Sequence, residues 1–257
     1  MADEIRCTVD GGVATITLNR PEKRNAMNAA VLDGLYRYVE ELDADASARV
    51  IVIRSEGPAF SSGADLDDMK RRQADGANAE TGVTRVVQRL ECARHPTIAM
   101  IQGAAFAGGC ELALHCDLRI AADAARFAMP LARIGLVVTF ALCQKLVEIV
   151  GPAFASQILL TAQPVDARRA YEMGLVHQVV PLADLEKATY DLARTIAGHA
   201  PLSLAGMKAM IARAVSQRER VEHADLDAIA ARARTSDDAR EGVRAMLEKR
   251  PPKFRGR

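Results

Sequence analysis

One carboxylate stands where the pattern around it calls for an apolar side chain. In FAGGCELALHCD, residues 106–117, Glu111 follows Gly108 and Gly109 and precedes Leu112, Ala113 and Leu114. If a helix opens at Gly108, Glu111 falls in its first turn. There an acid complements the helix dipole, worth about 0.3–1 kcal/mol. In an apolar setting, where an unpartnered carboxylate is costly, it can instead serve chemistry. The glycines fit a second task. Amides of a first helical turn lack intrahelical acceptors, and neither Gly108 nor Gly109 has a side chain to block an approaching group. An oxygen that gains negative charge during reaction can sit there, although close helix–strand packing explains the glycine pair equally well. AFSSGAD, residues 59–65, is a second turn with exposed backbone, able to offer the N–H of Ala64.

Other chemistries fit poorly. GAAFAGG contains no G-x-G-x-x-G and no following Lys-Ser/Thr, which excludes dinucleotide and P-loop readings. Ser61 and Ser62 are weak nucleophiles outside a G-x-S-x-G turn. His95, His115, His177, His199 and His223 show no metal-ligand spacing, so no metal is expected.

These residues need a scaffold. Alternating Ile5, Cys7, Val9 and Ala14, Ile16, Leu18 around Asp10-Gly11-Gly12 predict a β-hairpin. Asn28 caps a helix with Val31, Leu32, Leu35, Val39 and Leu42 on its apolar face. RVIVIRS (49–55) reads as a buried strand, residues 56–66 as a loop running into a short helix, and 73–81 as a polar loop. A helix over 82–93, a strand over 97–103, a helix over 108–115 and a strand over 117–122 follow. Helices are expected at 140–150, 152–161 and 166–172, and a strand at 175–180. Four helical segments then run over 182–198, 202–216, about 219–233 and 236–248, before a basic, proline-broken tail. The expected organisation is a mixed α/β body over 1–200 and a helical region over 201–257. Strand–strand–helix units recur at 5–42 and 97–122.

The 257 residues are 49% hydrophobic and 26% charged, with a net charge of +1. That near-balance gives no strong pull towards nucleic acid or an anionic membrane. Five scattered cysteines without a C-x-x-C pair point to buried thiols in a reducing compartment, not a disulfide framework. MADEIRC at the start has no apolar h-region, so no signal peptide is expected. No run of about 18 apolar residues occurs, so no membrane span is expected either. Together these give a cytoplasmic expectation.

The motifs LNRPEKRNAMN (18–28), AFSSGADL (59–66), IQGAAFAGGCELALHCDLRIAA (101–122), RFAMPLARIGL (126–136), AYEMGLVHQVV (170–180) and the tail EKRPPKF share an order and spacing. In these the chain resembles, over nearly its whole length, the crotonase superfamily, also called the enoyl-CoA hydratase/isomerase family. The resemblance implies an α/β fold, a spiral of ββα units with a helical C-terminal trimerisation region, assembled as a homotrimer or a dimer of trimers. It implies an acyl-coenzyme A thioester as substrate, with coenzyme A entering only as part of that substrate and no separate cofactor. The thioester oxygen would accept hydrogen bonds from the N–H groups of Ala64 and Gly108, with Glu111 as the catalytic acid–base group. Arg24, Asn25 and Ala26 would clamp coenzyme A, and Asp65, Leu66 and Asp67 would line the pantetheine channel. Ser62, Gly109, Leu131, Phe140 and Phe254 complete the expected substrate contacts.

One position departs from the hydratase pattern of that family. A second glutamate is expected directly after the proline of F-A-x-P-E, and the chain has Leu131 there. The Pro- and Gly-rich loop that usually follows is LVVTFA (136–141). Water addition needs a base for water and a proton donor for the α-carbon, and leucine is neither. A hydratase in which Glu111 does both through one water is the leading expectation. Decarboxylation of a malonyl-type thioester, thioester hydrolysis and non-catalytic acyl-CoA binding are the alternatives. Arg133 is the nearby basic residue for a carboxylate-bearing acyl group.

Overall fold

The computed structural model describes residues 3–65, 67–68, 80–215 and 222–256. The chain opens with β1 (Ile5–Asp10) and β2 (Val13–Leu18), an antiparallel hairpin turned by Gly11 and Gly12, both at positive φ. A helix, α1 (Ala29–Ala44), follows. It is capped by Asn28, whose side chain accepts the Val31 N–H, as the sequence predicts. Next come β3 (Val50–Ser55), β4 (Ala59–Ser61) and α2 (Glu80–Glu91), then β5 (Thr97–Ile101), β6 (Ala104–Phe106) and α3 (Gly108–Leu114). β7 (Leu118–Ala122) and β8 (Arg126–Ala128) lead through a 3₁₀ turn at Pro130–Ile134 to α4 (Phe140–Thr161). β9 (Val165–Asp166), α5 (Ala167–Glu172) and β10 (Gln178–Val180) come next. The remaining helices are α6 (Leu185–Ala197), α7 (Pro201–Val215), α8 (Ala224–Thr235) and α9 (Asp237–Leu247).

From β3 to β8, successive strands alternate between two sheets. Among the described residues, one sheet has the order β1-β2-β3-β5-β7-β10 and the other β4-β6-β8-β9. Apart from the first hairpin, the larger sheet is parallel. Over β3–β8 each turn of chain thus lays one strand in each sheet and returns, usually through a helix. That alternation is the ββα spiral expected above. The second sheet was the less legible one. Its strands are two or three residues long, too short to show alternation, and the stretch expected as loop, 56–66, contains one of them.

The chain folds into two compact units, Met1–Phe127 with Val165–Ala214, and Ala128–Pro164 with Val215–Arg257. Both are discontinuous. The boundary expected at residue 200 divides the chain by element type, whereas the compact units interleave along the sequence. In the first unit Val50, Val52, Ile98, Met100, Ile120 and Ala122 point from one face of the larger sheet onto Leu185, Ala193 and Ile196 of α6. The period-two alternation of buried strands puts them there, while α1 and α2 pack together. In the second unit α4 is two helical segments that meet at a kink at Gly151 (φ 73°, ψ 166°), before Pro152. These are the expected helices, 140–150 and 152–161. Among the described residues no helix is long and apolar enough to cross a membrane.

Candidate active site

The turn after β4 is stitched to the 24–28 loop. Met27 N donates to Gly63 O (2.8 Å) and Asp65 N to Met27 O (3.0 Å). This is a parallel bridge between Met27 and Ala64. In such a bridge the flanking residues make the bonds, so the N–H of Ala64 itself points away from the Met27 segment. Ser62 N donates to Arg24 O (3.0 Å), and Ser61 Oγ to Asn25 O (2.8 Å). Arg24 and Asn25 both sit in the left-handed region, at φ 51° and 53°, and turn the chain so that their carbonyls meet those donors.

Asn25 and Asp65 carry this arrangement with their side chains. Asn25 Oδ1 accepts from Arg20 N (2.9 Å), and its Nδ2 donates to Glu56 O and Ala59 O, both at 2.8 Å. Asp65 Oδ2 is 2.8 Å from Arg20 Nη1 in a buried ion pair, and its Oδ1 accepts the amides of Asp67 and Asp68. Burial would raise the Asp65 carboxyl. The Arg20 guanidinium and the two amides outweigh it and hold the group below its ordinary value. The polar side-chain atoms of Asn25 and Asp65, both expected as ligand contacts, bond within the protein and fix loop to loop. The exposed side chains in this stretch are those of Arg24 and Asp67. Ala26 accepts from Arg20 Nη1 through its carbonyl (2.6 Å), and Ser62 is half-buried. Leu66 and most of the expected 73–81 loop lie outside the described residues.

The opposite donor begins α3. Ala107, just before it, has φ 48° and ψ −123°, a conformation that L-residues adopt only with strain, of order 1–3 kcal/mol. This angle turns the peptide that carries the Gly108 N–H. A Cβ on Gly108 would stand 3.5 Å from Ala64 N, and one on Gly63 would stand 2.9 Å from Gly108 N. Since a Cβ lies about 2.5 Å from its own residue's nitrogen, the two amide nitrogens are no more than about 6 Å apart. Two N–H groups, each about 2.9 Å from an acceptor, can serve one oxygen across such a gap. Neither N–H has an acceptor among the described residues.

Glu111 lies in the first turn, its amide donating to Ala107 O (3.0 Å). Cys110, Leu112, Ala113 and Leu114 are buried, whereas Gly108 and Glu111 are half-buried. Residues three apart share a helix face, so Glu111 stands on the one partly open face, above Gly108. Gly109 points the other way, into Ser61. Burial pushes the thiols of Cys110 and Cys116 up to about 12, which keeps them protonated and inert.

Leu131, Phe140 and Phe254 belong to the second unit. Leu131 is half-buried in the 130–134 turn, where its carbonyl accepts Leu136 N (3.0 Å). Phe140 opens α4 after the Thr139 cap and stacks on His223, centroids 4.5 Å apart. Phe254 is 43% exposed and lines a cleft of about 860 Å³ with Ile229, Arg232 and Arg240. The tail that bears it is tied back on α9. Arg250 pairs with Glu241 at 2.6 Å, Lys253 N donates to Glu241, and Arg255 N and Gly256 N donate to Asp238. Among the described residues no cluster of three or more His, Cys, Asp or Glu side chains could hold a metal.

The sequence reading missed Ala107, because alanine gives no hint of positive φ, and Arg119, which reads as one more residue of a strand. The tail's anchors, Asp238 and Glu241, also carry no motif.

The chain shares its sequence pattern and its fold with known proteins. The family described as enoyl-CoA hydratase/isomerase matches residues 8–257. The 2,3-dehydroadipyl-CoA hydratase of Escherichia coli K12 is 33% identical over 245 residues, covering 95% of this chain and 96% of the relative. The short-chain-enoyl-CoA hydratase of Clostridium acetobutylicum is 31% identical over 250 residues, covering 94% and 93%. Among solved structures, an enoyl-CoA hydratase/isomerase from Pseudoalteromonas atlantica superposes with a TM-score of 0.88 at 28% identity, covering 98% of this chain and all of that one. Methylmalonyl CoA decarboxylase complexed with 2S-carboxypropyl CoA superposes at 0.91 with 25% identity over the full length of both.

Proposed function

This chain belongs to the enoyl-CoA hydratase/isomerase family, and from that premise we propose that it adds water across the double bond of a 2-enoyl-CoA thioester. The observation that carries the reading is the approach of the Ala64 and Gly108 amides, with Glu111 on the open face of the same helix. The thioester oxygen accepts both N–H groups. Charge that develops on it as the enolate forms meets donors already in place, which is where such sites gain most of their effect. Glu111 takes a proton from a water, the hydroxide adds at the β-carbon, and the protonated Glu111 returns that proton to the α-carbon. The balance closes with water alone, so coenzyme A enters only as part of the substrate and no separate cofactor is consumed. With Leu131 in place of a second acid, one carboxylate performs both transfers.

A second reading, decarboxylation of a malonyl-type thioester, has a specific support. The methylmalonyl CoA decarboxylase structures superpose on this chain as well as an enoyl-CoA hydratase/isomerase does, with TM-scores of 0.90 and 0.91 at 25% identity against 0.88 at 28%. That reaction also passes through an enolate held by the same two amides, and it needs no second acid.

The assembly belongs to the same proposal. On α7, Leu202, Met207, Met210 and Ile211 are 60–77% exposed. So much apolar surface on one helix suits contact with further copies in a trimer or a dimer of trimers. Five free thiols suit a reducing cytoplasm.

The experiment is a mass-spectrometric assay of the purified protein against crotonyl-, methylmalonyl- and butyryl-CoA. Gain of one water on crotonyl-CoA is expected. Loss of CO₂ from methylmalonyl-CoA without hydration of crotonyl-CoA would install the second reading. Release of free coenzyme A would make the protein a hydrolase, and binding without change a carrier.

A further inference from the structure

Arg119, 4% exposed, is the least exposed cation among the described residues, and it pairs with no carboxylate there. Backbone carbonyls receive it instead. Its Nε donates to Leu175 O at 2.6 Å; its Nη1 donates to Cys116 O at 2.6 Å, Leu114 O at 3.2 Å and Ala113 O at 3.3 Å. The main chain of Arg119 joins the same cluster, its N–H meeting His177 Nδ1 (3.1 Å) and its carbonyl accepting His177 N (3.0 Å). One residue of β7 thus fastens together a strand, the C-terminal end of α3 and the turn at 175–177.

Burying a guanidinium on neutral acceptors is expensive, and burial pushes Arg119 below its ordinary value. An apolar plug would fill the space at lower cost. What the guanidinium adds is direction, because its planar fork fixes the carbonyls it bonds. α3 is seven residues, or about two turns and 10 Å, long. At its other end the two glycines have no side chains, and the close backbone contact of Gly109 with Ser61 is what holds the helix there. The clamp at Ala113 and Leu114 is the second hold, and a rotation or slide released there is carried along so short a helix towards Gly108 and Glu111.

We propose that Arg119 is a positioning residue for catalysis, holding the Gly108 amide and the Glu111 carboxylate in register with the reacting thioester through its clamp on the far end of α3. The proposal rests on the reading of α3 as the catalytic helix. A displacement of about 1 Å at a reacting group can cost on the order of 100-fold in rate, and this defines what to measure.

Arg119→Lys and Arg119→Met are compared with the unchanged full-length protein. Folding is verified by circular dichroism and thermal melting. kcat and KM are measured with crotonyl-CoA. The absorption maximum of bound 4-(N,N-dimethylamino)cinnamoyl-CoA is also recorded, because its red shift reports polarisation of the thioester carbonyl per bound molecule. Arg119→Lys keeps the charge but loses the fork. It should lower kcat about 10- to 100-fold with KM changed by less than about threefold, and shrink the red shift. Arg119→Met should do so further. Folded variants that keep kcat and the red shift, or that lose KM instead of kcat, overturn the proposal. If neither variant folds, Arg119 is a folding residue and the proposal falls as well. Failure of the underlying reading looks different, since the unchanged protein would then neither hydrate crotonyl-CoA nor red-shift the probe.

Discussion

Ser61 fills the space that a side chain on Gly109 would need: a Cβ there would lie 2.3 Å from the Ser61 carbonyl oxygen and 2.7 Å from its Cβ. β4 and α3 therefore touch backbone to backbone, and this contact brings the Ala64 and Gly108 turns together. Gly109→Ala must push the two apart, with a loss of about 1–3 kcal/mol and nearly all turnover. At Gly108 the added methyl would meet the flexible Met27 Cε at 3.2 Å, and Ala64 N and Gly63 Cα at an ordinary 3.5 Å. Gly108→Ala should melt close to the unchanged protein and still lose activity, because its methyl stands between the two donors. Equal melting temperatures for both variants would contradict this account.

Glu111→Gln keeps shape and removes the proton acceptor. Hydration should fall by about 100-fold or more, while the dissociation constant for a saturated acyl-CoA, measured by calorimetry, stays nearly constant. Undiminished turnover of crotonyl-CoA would remove Glu111 from the mechanism. Leu131→Glu should raise hydration if the missing second acid limits the rate. No gain in a folded variant would favour the decarboxylase reading.

The Arg20–Asp65 pair, with both side chains about nine-tenths buried, is a stability element with a pH signature. Asp65 is held below its ordinary value in the folded chain, so its contribution is complete above the unfolded carboxylate value of about 3.9 and is lost as pH falls through the lower folded value. Asp65→Asn should cost about 3 kcal/mol near neutral pH. Denaturant midpoints should show this deficit shrinking below about pH 4. A deficit that stays constant into acid would mean that the charge is not what matters.

Thiol labelling separates the five cysteines. Cys92 is exposed and should react first at pH 8. Cys7 and Cys143 are partly covered, with thiols raised chiefly by burial, and should follow slowly. Cys110 and Cys116 should label only on unfolding, as peptide mapping would show. Early labelling of Cys110 would reveal that α3 opens in the native protein.

Much of this architecture was legible because long elements announce themselves. Asn28 marks the start of α1, the β-branched run at 50–55 marks a buried strand, and Gly151-Pro152 marks the kink in α4. The site was legible in its parts, as glycines, an acid and a turn. Their roles were less so. Asn25 and Asp65 look like ligand contacts in a polar loop, and only tertiary structure shows their side chains bonded to Arg20 and to the neighbouring backbone. Ala107 hides a backbone angle that glycine would have advertised. Arg119 hides a long-range clamp, because its acceptors are carbonyls, which leave no trace in side-chain pattern.

Ala64 and Gly108 lie in successive repeats and become neighbours only when β4 pairs with β6 in the smaller sheet. No fragment ending before α3 can hold both amides. During refolding, hairpin and helix signals should return ahead of catalysis, and the first turnover will time the closing of the spiral's second layer.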